Sequence, residues 1–528
     1  MDINRMSLDK KIGQMLVAGF HSKHFDEELR HLIKDLGIGN FILFTRNLGN
    51  KAEIAELNRS IQDSELKSTG IPAFLCIDQE GGMVTRIRED ATFFPGNMAF
   101  TAAAGDTFLE GLISGRELKA LGINLNLAPV LDVNNNPLNP VIGVRSYSDD
   151  EKVVAEYGAR YIEGMKGAGI LSAAKHFPGH GDTCVDSHLD LSSVGHAMER
   201  IRKVELHPFR EAIKRGIDAM MTAHLLFPAI EPEKLPATLS PAVLTGLLRG
   251  ELGYRGLILT DCMEMKAIAS YYGTVNAAVM AVKAGADLIL VSHSPELQRE
   301  CLQALEKAVL SGDIPEDRIN ESVGRILDLK NKYGFFENPY PDMEAVGNIV
   351  GCKGHRAFAA EVSLNSITLV KDDKGLLPLS GEGRIAVISP RAAALNGADD
   401  SIPSGFDFCD EVARELGGEA LLIPLNPGDP VIEKTVAAAS AADIVILGTY
   451  NAVFNRGQGL LIKELSRTCG KLIAVSLRSP YDYKLCQAAS ACLCAYEYTP
   501  LSIESIIKVL KGEKTPYGKL PMKVSRME

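Results

Sequence analysis

The chain has 528 residues, 46% hydrophobic and 23% charged, with a formal net charge of −11. That length predicts roughly two or three domains with ample core, and the acidic balance argues against nucleic acid or an anionic membrane as the main partner. No apolar run reaches the roughly 18–20 residues that span a bilayer, and the opening "MDINRMSLDKKIGQMLVAGF" has charges where an export signal needs an apolar stretch.

Short apolar runs then recur along the first 310 residues: "MLVAGF" (15–20), "GNFILF" (39–44), "AFLCID" (73–78), "NLNLAPVLDV" (124–133), "LSAAKHF" (171–177), "AMMTAHLLF" (219–227), "GLILTD" (256–261) and "DLILVSH" (287–293). Each reads as a strand. Segments of helical period, such as "TFLEGLISGRELKALG" and "VVAEYGARYIEGMKGAG", lie between them. Gly122, Gly169, Gly216 and Gly285 stand where helices should stop. Eight such units in one run predict a (β/α)₈ barrel, expected over residues 1–338.

Pro339 and Pro341 mark a linker, expected over 339–354. From 355 to 528 a second α/β rhythm predicts a mostly parallel sandwich, with strands in "RIAVISP", "ALLIPLN", "DIVILGTYN", "KLIAVSL" and "ACLCAYE". That half contains no G-x-G-x-x-G; "NRGQG" (455–459) is a weak nucleotide signal.

In a barrel of this kind the chemistry sits at the C-terminal ends of the strands. Asp78 ends the third, Asp132 the fourth, Lys175 and His176 the fifth, His224 the sixth, Asp261 the seventh and His293 the eighth, with Arg145 in the loop after the fourth. Each has a plainer reading. Asp261 could cap the helix in "CMEMKAIASYYG", Asp78 could tie down the "EGG" turn, Lys175 and Arg145 could form rim salt bridges, and His224 or His293 could be structural. The joint arrangement of acids, histidines and cations at one mouth favours a site.

The richest stretch is "AAKHFPGHGDTCVDSHLDL" (173–191). A zinc site could draw on His180, Asp182, His188 and His224, but the run lacks H-x-H strand spacing and Lys175 would repel a cation. In "DSH", Asp186 and His188 are two apart and share a face in an extended loop. The carboxylate would favour imidazolium and make His188 a general acid.

"KHFPGHGDTCVDSH" resembles the K-H-[FI]-P-G-H-G-x₄-D-x-H signature of the β-N-acetylglucosaminidases of glycoside hydrolase family 3. "CIDQEGGMVTRI", "FPGNMA", "APVLDVNNNPLNPVIGVRSYS" and "LILTDCMEMKAI" are similar to that subgroup in the same order, and "SITLVKDDKGLLPL" (366–379) resembles the lead-in to the sandwich of its two-domain members. The resemblance implies a retaining exo-β-N-acetylglucosaminidase with Asp261 as nucleophile and an Asp186–His188 acid/base dyad. It also implies Asp78, Arg86, Arg145, Lys175 and His176 as holders of the terminal GlcNAc, although Arg86 could instead brace the Asp78 turn. No metal or other cofactor is implied.

Two alternatives follow. A histidine acid/base does not repel phosphate as a carboxylate would, which leaves a phosphorylase open; a metal-dependent barrel hydrolase is the more distant reading. β-Glucosidases and β-xylosidases of the same family usually take the acid/base from a second-domain glutamate and lack the "GHGDT…DSH" loop. Ten cysteines without a C-x-x-C pair fit a reducing cytoplasm. With no export signal read, cytoplasmic action on GlcNAc–MurNAc or GlcNAc–anhydroMurNAc fragments of peptidoglycan is the expectation the resemblance carries.

Overall fold

The computed structural model describes residues 3–183, 191–381, 383–394, 397–400 and 405–523. Eight parallel strands form the first sheet: β1 (Leu16–Ala18), β2 (Asn40–Leu43), β3 (Phe74–Ile77), β4 (Leu125–Asn126), β5 (Leu171–Phe177), β6 (Ala219–Thr222), β7 (Leu257–Leu259) and β8 (Ile289–Val291). Each neighbours the next in sequence from β1 to β7, and β8 returns to pair with β1. The seam between β7 and β8 is closed by a single Leu259–Leu288 bridge and by Thr260, whose N–H reaches the Leu288 carbonyl at 3.0 Å while its hydroxyl accepts from Leu290 N at 3.0 Å. The barrel the alternation predicted is present.

These strands are buried on both faces, which is why they read as continuous apolar runs. Two expected strands are shorter than their apolar segments. Residues 124–133 contribute only β4, because Pro129 offers no N–H to the ladder and only Val130 bridges again, to Lys175. In 219–227 the ladder stops at Thr222, and Leu225–Leu226 pairs separately with Ser192–Ser193.

Helices Met343–Asn348 and Lys353–Ser366 lead to the second domain. Its sheet comprises β9 (Thr368–Asp372), β10 (Ile385–Pro390), β11 (Glu419–Ile423), β12 (Ile444–Thr449), β13 (Leu472–Ser476) and β14 (Ala491–Cys494). The order is β9-β14-β13-β12-β10-β11, parallel except for β9. Apolar cores lie on both sides of it, one around Val387, Phe408 and Val475, the other around Ile388, Leu447 and Leu461.

The two domains share buried surface. Met98, Ala99 and Val144 of the barrel pack against Tyr481, Tyr496 and Met522. Met83, from the loop after β3, inserts into the core around Val387 and Phe408. Burying a Met side chain contributes about 1.5–3 kcal/mol, so the segment carrying it is tied to both domains. No helix among the described residues is long and apolar enough to cross a membrane.

Candidate active site

A cavity of about 580 Å³ opens at the C-terminal ends of the barrel strands. Its wall includes Asp78, Glu80, Arg86, Arg145, Lys175, His176, His180 and Asp261. Asp78 follows β3, and the chain then forms a small antiparallel ribbon, Gln79–Gly81 with Val84–Thr85, that sets Glu80 and Arg86. Gly82 makes the ribbon's turn at φ 56°, where an added Cβ would meet the Cα of Gly96 at 2.8 Å. Only glycine fits both the angle and the space.

Four of these side chains form a buried chain of charges. Lys175 Nζ lies 2.7 Å from Asp78 Oδ1 and 2.6 Å from Glu80 Oε1. Arg145 donates from Nε and Nη2 to the two oxygens of Glu80, both at 2.9 Å. Burial alone would push Glu80 up, but Arg145 and Lys175 override it and hold the carboxyl well below its usual range. Burial likewise opposes the charges on Lys175 and Arg145, yet the facing carboxylates raise both above their ordinary values. Glu80, Lys175 and Arg145 are thereby held in their charged forms.

Lys175 and His176 are consecutive, and in a regular strand they would face opposite ways. Here both line the cavity, because the pairing of β5 with β6 shifts register between Ala174 and Phe177. Asp132 anchors the turn. Its Oδ2 accepts from His176 Nδ1 at 2.7 Å, and its Oδ1 accepts the backbone N–H groups of His176 at 3.2 Å and His180 at 2.6 Å. With Nδ1 donating, His176 presents its other ring nitrogen away from Asp132. His180 is different. Burial, aided by His176 and Arg145 against Asp132, pushes it down to about 4, so it stays neutral near pH 7. Gly181 next to it is pressed on the barrel, for a Cβ there would come within 1.7 Å of the Val133 carbonyl oxygen.

Asp261 follows β7, half-buried in the cavity wall, and its Oδ1 accepts from Cys262 N at 2.7 Å. The next helix, Lys266–Tyr272, has Met265 at its N-cap, so the capping alternative for Asp261 does not hold. Behind the turn, buried His224 meets the Cys262 carbonyl through Nε2 at 3.0 Å and Thr238 Oγ1 through Nδ1 at 2.8 Å. A carbonyl only accepts, so Nε2 is the donor. His224 therefore braces the Asp261 turn from behind and does not line the cavity. His293 sits on the rim against Phe44, with ring centroids 5.4 Å apart.

Asp186 and His188 lie outside the described residues. Asp182 pairs with His196, away from the cavity wall. Cys262, Glu264 and His293 are close enough to suggest a metal centre. However, Glu264 already accepts from the backbone N–H groups of Ser292, His293 and Ser294, and burial pushes the Cys262 thiol up to about 12. A protonated thiol and an occupied carboxylate make a poor donor set.

Two contributors escaped the reading of the sequence. Glu80 stands two residues after Asp78 in "DQEGG", a spacing that puts both on one face of an extended chain. The other is Asp400 of the second domain, which lines the same cavity with Gly397 and Ala398; the stretch "GEGRIAVISPRAAALNGADDS" reads as able to hold a loop that reaches the barrel mouth, but no residue in it stands out as part of a site. A second-domain glutamate, Glu497, is instead buried under the ribbon, accepting from Gly96 N at 2.8 Å.

Comparison with known proteins agrees along the whole chain. Residues 7–329 match the glycosyl hydrolase family 3 N-terminal domain and residues 367–528 its C-terminal domain. Beta-hexosaminidase A of Pseudoalteromonas piscicida is 39% identical over 94% of this chain and 91% of its own length. A beta-hexosaminidase of Xanthomonas oryzae pv. oryzae is 34% identical over 55% of this chain and 87% of its own. Among solved structures, a glycoside hydrolase family 3 beta-N-acetylglucosaminidase from Paenibacillus sp. str. FPU-7 superposes with a TM-score of 0.91 at 41% identity, covering 98% of this chain and 99% of the other.

Proposed function

The chain belongs to glycosyl hydrolase family 3 as a glycoside hydrolase of the β-hexosaminidase kind, and from that premise we propose that it is a retaining exo-β-N-acetylglucosaminidase. The observation that carries this reading is the buried charge chain of Asp78, Lys175, Glu80 and Arg145 in one cavity wall with Asp261. Asp78 is its most exposed member, at 15%. A carboxylate so held accepts hydrogen bonds from sugar hydroxyls, and Lys175, itself bonded to Glu80, fixes its orientation.

Asp261 attacks the anomeric carbon as the bond to the leaving oxygen breaks, and His188, oriented by Asp186, gives that oxygen its proton. His188 then takes a proton from water, which displaces Asp261 and releases GlcNAc with retained configuration. His176, fixed by Asp132, faces the sugar from the wall. None of these steps calls on a metal.

The substrates proposed are GlcNAc–MurNAc and GlcNAc–anhydroMurNAc fragments of peptidoglycan, met in the cytoplasm. All nine described cysteines are unpaired, as a reducing compartment favours. The test is hydrolysis of aryl β-GlcNAc beside aryl β-glucoside, with and without phosphate, with sugars identified by mass. Free GlcNAc from the first substrate alone is expected, while GlcNAc-1-phosphate would replace this reading with a phosphorylase. Asp261→Ala should lose more than about a thousandfold in kcat. His188→Ala should slow a natural disaccharide more than an aryl glycoside, whose leaving group needs little protonation. Equal losses on both would remove His188 from the acid role.

A further inference from the structure

The charge chain at the barrel mouth does not end within the barrel. Arg86 Nη2 stands 3.6 Å from Asp78 Oδ2, and Arg86 Nη1 makes a 2.9 Å ion pair with Oδ1 of Asp400 from the second domain. The full series reads Asp400, Arg86, Asp78, Lys175, Glu80, Arg145. Carboxylate and cation alternate along it, so three of each balance.

Asp400 is itself tightly held, at 5% exposure. Its Oδ1 also accepts from the Thr45 hydroxyl at 2.7 Å, its Oδ2 accepts from Thr85 N at 2.9 Å, and its own N–H donates to the Met83 carbonyl at 3.1 Å. Arg86 Nη1 further donates to the Ala398 carbonyl at 3.1 Å. The segment is anchored on the side of the second domain as well. Asp399 forms a buried two-point pair with Arg478 at 2.7 and 2.9 Å, and Arg478 Nη1 meets the Tyr450 hydroxyl at 3.1 Å.

We propose that Asp400 is a positioning residue of the glycosidase site, holding Arg86 back from Asp78 so that the Asp78 carboxylate stays open to the sugar. This rests on the hydrolase reading above and adds that the barrel site is completed by the second domain. The physical argument is one of competition. Arg86 is buried, its Nε has no hydrogen-bond partner among the described residues, and its two terminal nitrogens face Asp400 and Ala398 on one side and Asp78 on the other. Without the Asp400 charge the chain carries one uncompensated cation. The nearest carboxylate that can neutralise it is Asp78, across a gap of 3.6 Å that a small side-chain shift closes. Asp78 Oδ2, the oxygen not bonded to Lys175, would then accept directly from Arg86, and less of the carboxylate would be left to accept from substrate.

The experiment compares full-length wild type with Asp400→Asn, Asp400→Glu, Arg86→Met and the double variant Asp400→Asn/Arg86→Met on aryl β-GlcNAc, with thermal midpoints recorded. Asp400→Asn keeps the shape and an acceptor for Thr45 but removes the charge. Its KM should rise about ten- to a hundredfold, the loss of one charge-assisted contact, with kcat changed far less. Asp400→Glu should recover much of that loss. In the double variant, Asp400→Asn should add less than about twofold to the effect of Arg86→Met, because its action runs through Arg86. Should Asp400→Asn fail to fold, Thr45→Val, which loosens the same carboxylate from an exposed position, should still raise KM about threefold. A KM within about twofold of wild type for both Asp400→Asn and Thr45→Val, or full additivity with Arg86→Met, overturns the proposal. A wild type inactive on aryl β-GlcNAc overturns the hydrolase reading instead, so the two failures are distinct.

Discussion

Carboxylates and lysines are buried together at both ends of the barrel, with opposite results. At the mouth, Lys175 touches two carboxylates, and every member of the chain from Asp400 to Arg145 faces at least one opposite charge. Lys175 and Arg145 are raised and Glu80 is depressed, so these three remain ionised. At the floor, Lys330 Nζ is bonded to Gln14 Oε1 at 2.8 Å and lies 4.7 Å from the centre of the Phe74 ring, where β3 begins. Glu65 is the charge that most favours its ammonium form, and one oxygen of Glu65 has no partner among the described residues. There burial wins: it pushes Lys330 down to about 7 and Glu65 up to about 8. A charge survives in a dry interior only when contacts replace its water. The mouth supplies them, and a polar ring can then be bound by groups already desolvated and oriented.

The largest expected effect comes from breaking the mouth at its centre. Glu80→Gln keeps the volume but leaves Arg145 and Lys175 to share Asp78. It should destabilise the fold by about 3–5 kcal/mol, as loss of one partner from a buried pair does, and depress activity with it. Denaturant unfolding and kcat/KM on aryl β-GlcNAc check both. The sign of its pH dependence follows from the depressed carboxyl. Glu80 contributes stability above its unfolded value near 4.5 and loses it as the pH falls below that. Glu80→Gln should therefore flatten the acid limb of the stability profile. An acid limb identical to wild type would mean the carboxylate is not the anchor of the chain.

How much of this could be seen in the sequence depends on distance along it. The strand–helix rhythm is local, so the barrel, its mouth and the positions of Asp78, Lys175, His176 and Asp261 on it were legible. The run 124–133 reads as one long strand by its apolar side chains, although Pro129 within it removes the N–H that the ladder needs. Glu80 was within reach by the two-residue spacing from Asp78, but "EGG" reads first as a turn. The segment "GEGRIAVISPRAAALNGADDS" could be read as reaching the barrel mouth, but Asp400 within it was not legible. It lies 315 residues from the Thr85 N–H it accepts, in a polar loop whose composition matches any surface segment. Arg86 could be read two ways, holding sugar or bracing the Asp78 turn; the structure places it between Asp78 and Asp400. Nothing marked Glu65 or Lys330, each on a helix face of ordinary charge pattern.

A smaller effect is expected at the floor, and it runs the other way with pH. Glu65 has a folded value near 8 against an ordinary 4.5, so the folded state keeps a proton that the unfolded chain releases. Its stabilisation is present below pH 4.5 and is lost as the pH rises toward 8. Glu65→Gln should remove that loss, giving a thermal midpoint that falls less than wild type between pH 5 and pH 7. Parallel wild-type and Glu65→Gln curves would mean that Glu65 is ionised after all, and that burial does not dominate at this end.

The smallest effect is the sharpest test of the contrast. Lys330 contacts Gln14 and Phe74 at the opposite end of the barrel from Asp78, and it touches no member of the mouth chain. Lys330→Met removes an amine whose charge burial already disfavours and puts an apolar chain of similar length in its place. The desolvation cost of the ammonium disappears, so stability should change by no more than about 1.5 kcal/mol in either direction. kcat/KM on aryl β-GlcNAc should stay within about twofold of wild type. A large loss of activity with the fold intact would mean that the barrel transmits floor charge to its mouth, and that the two buried clusters form a single electrostatic unit.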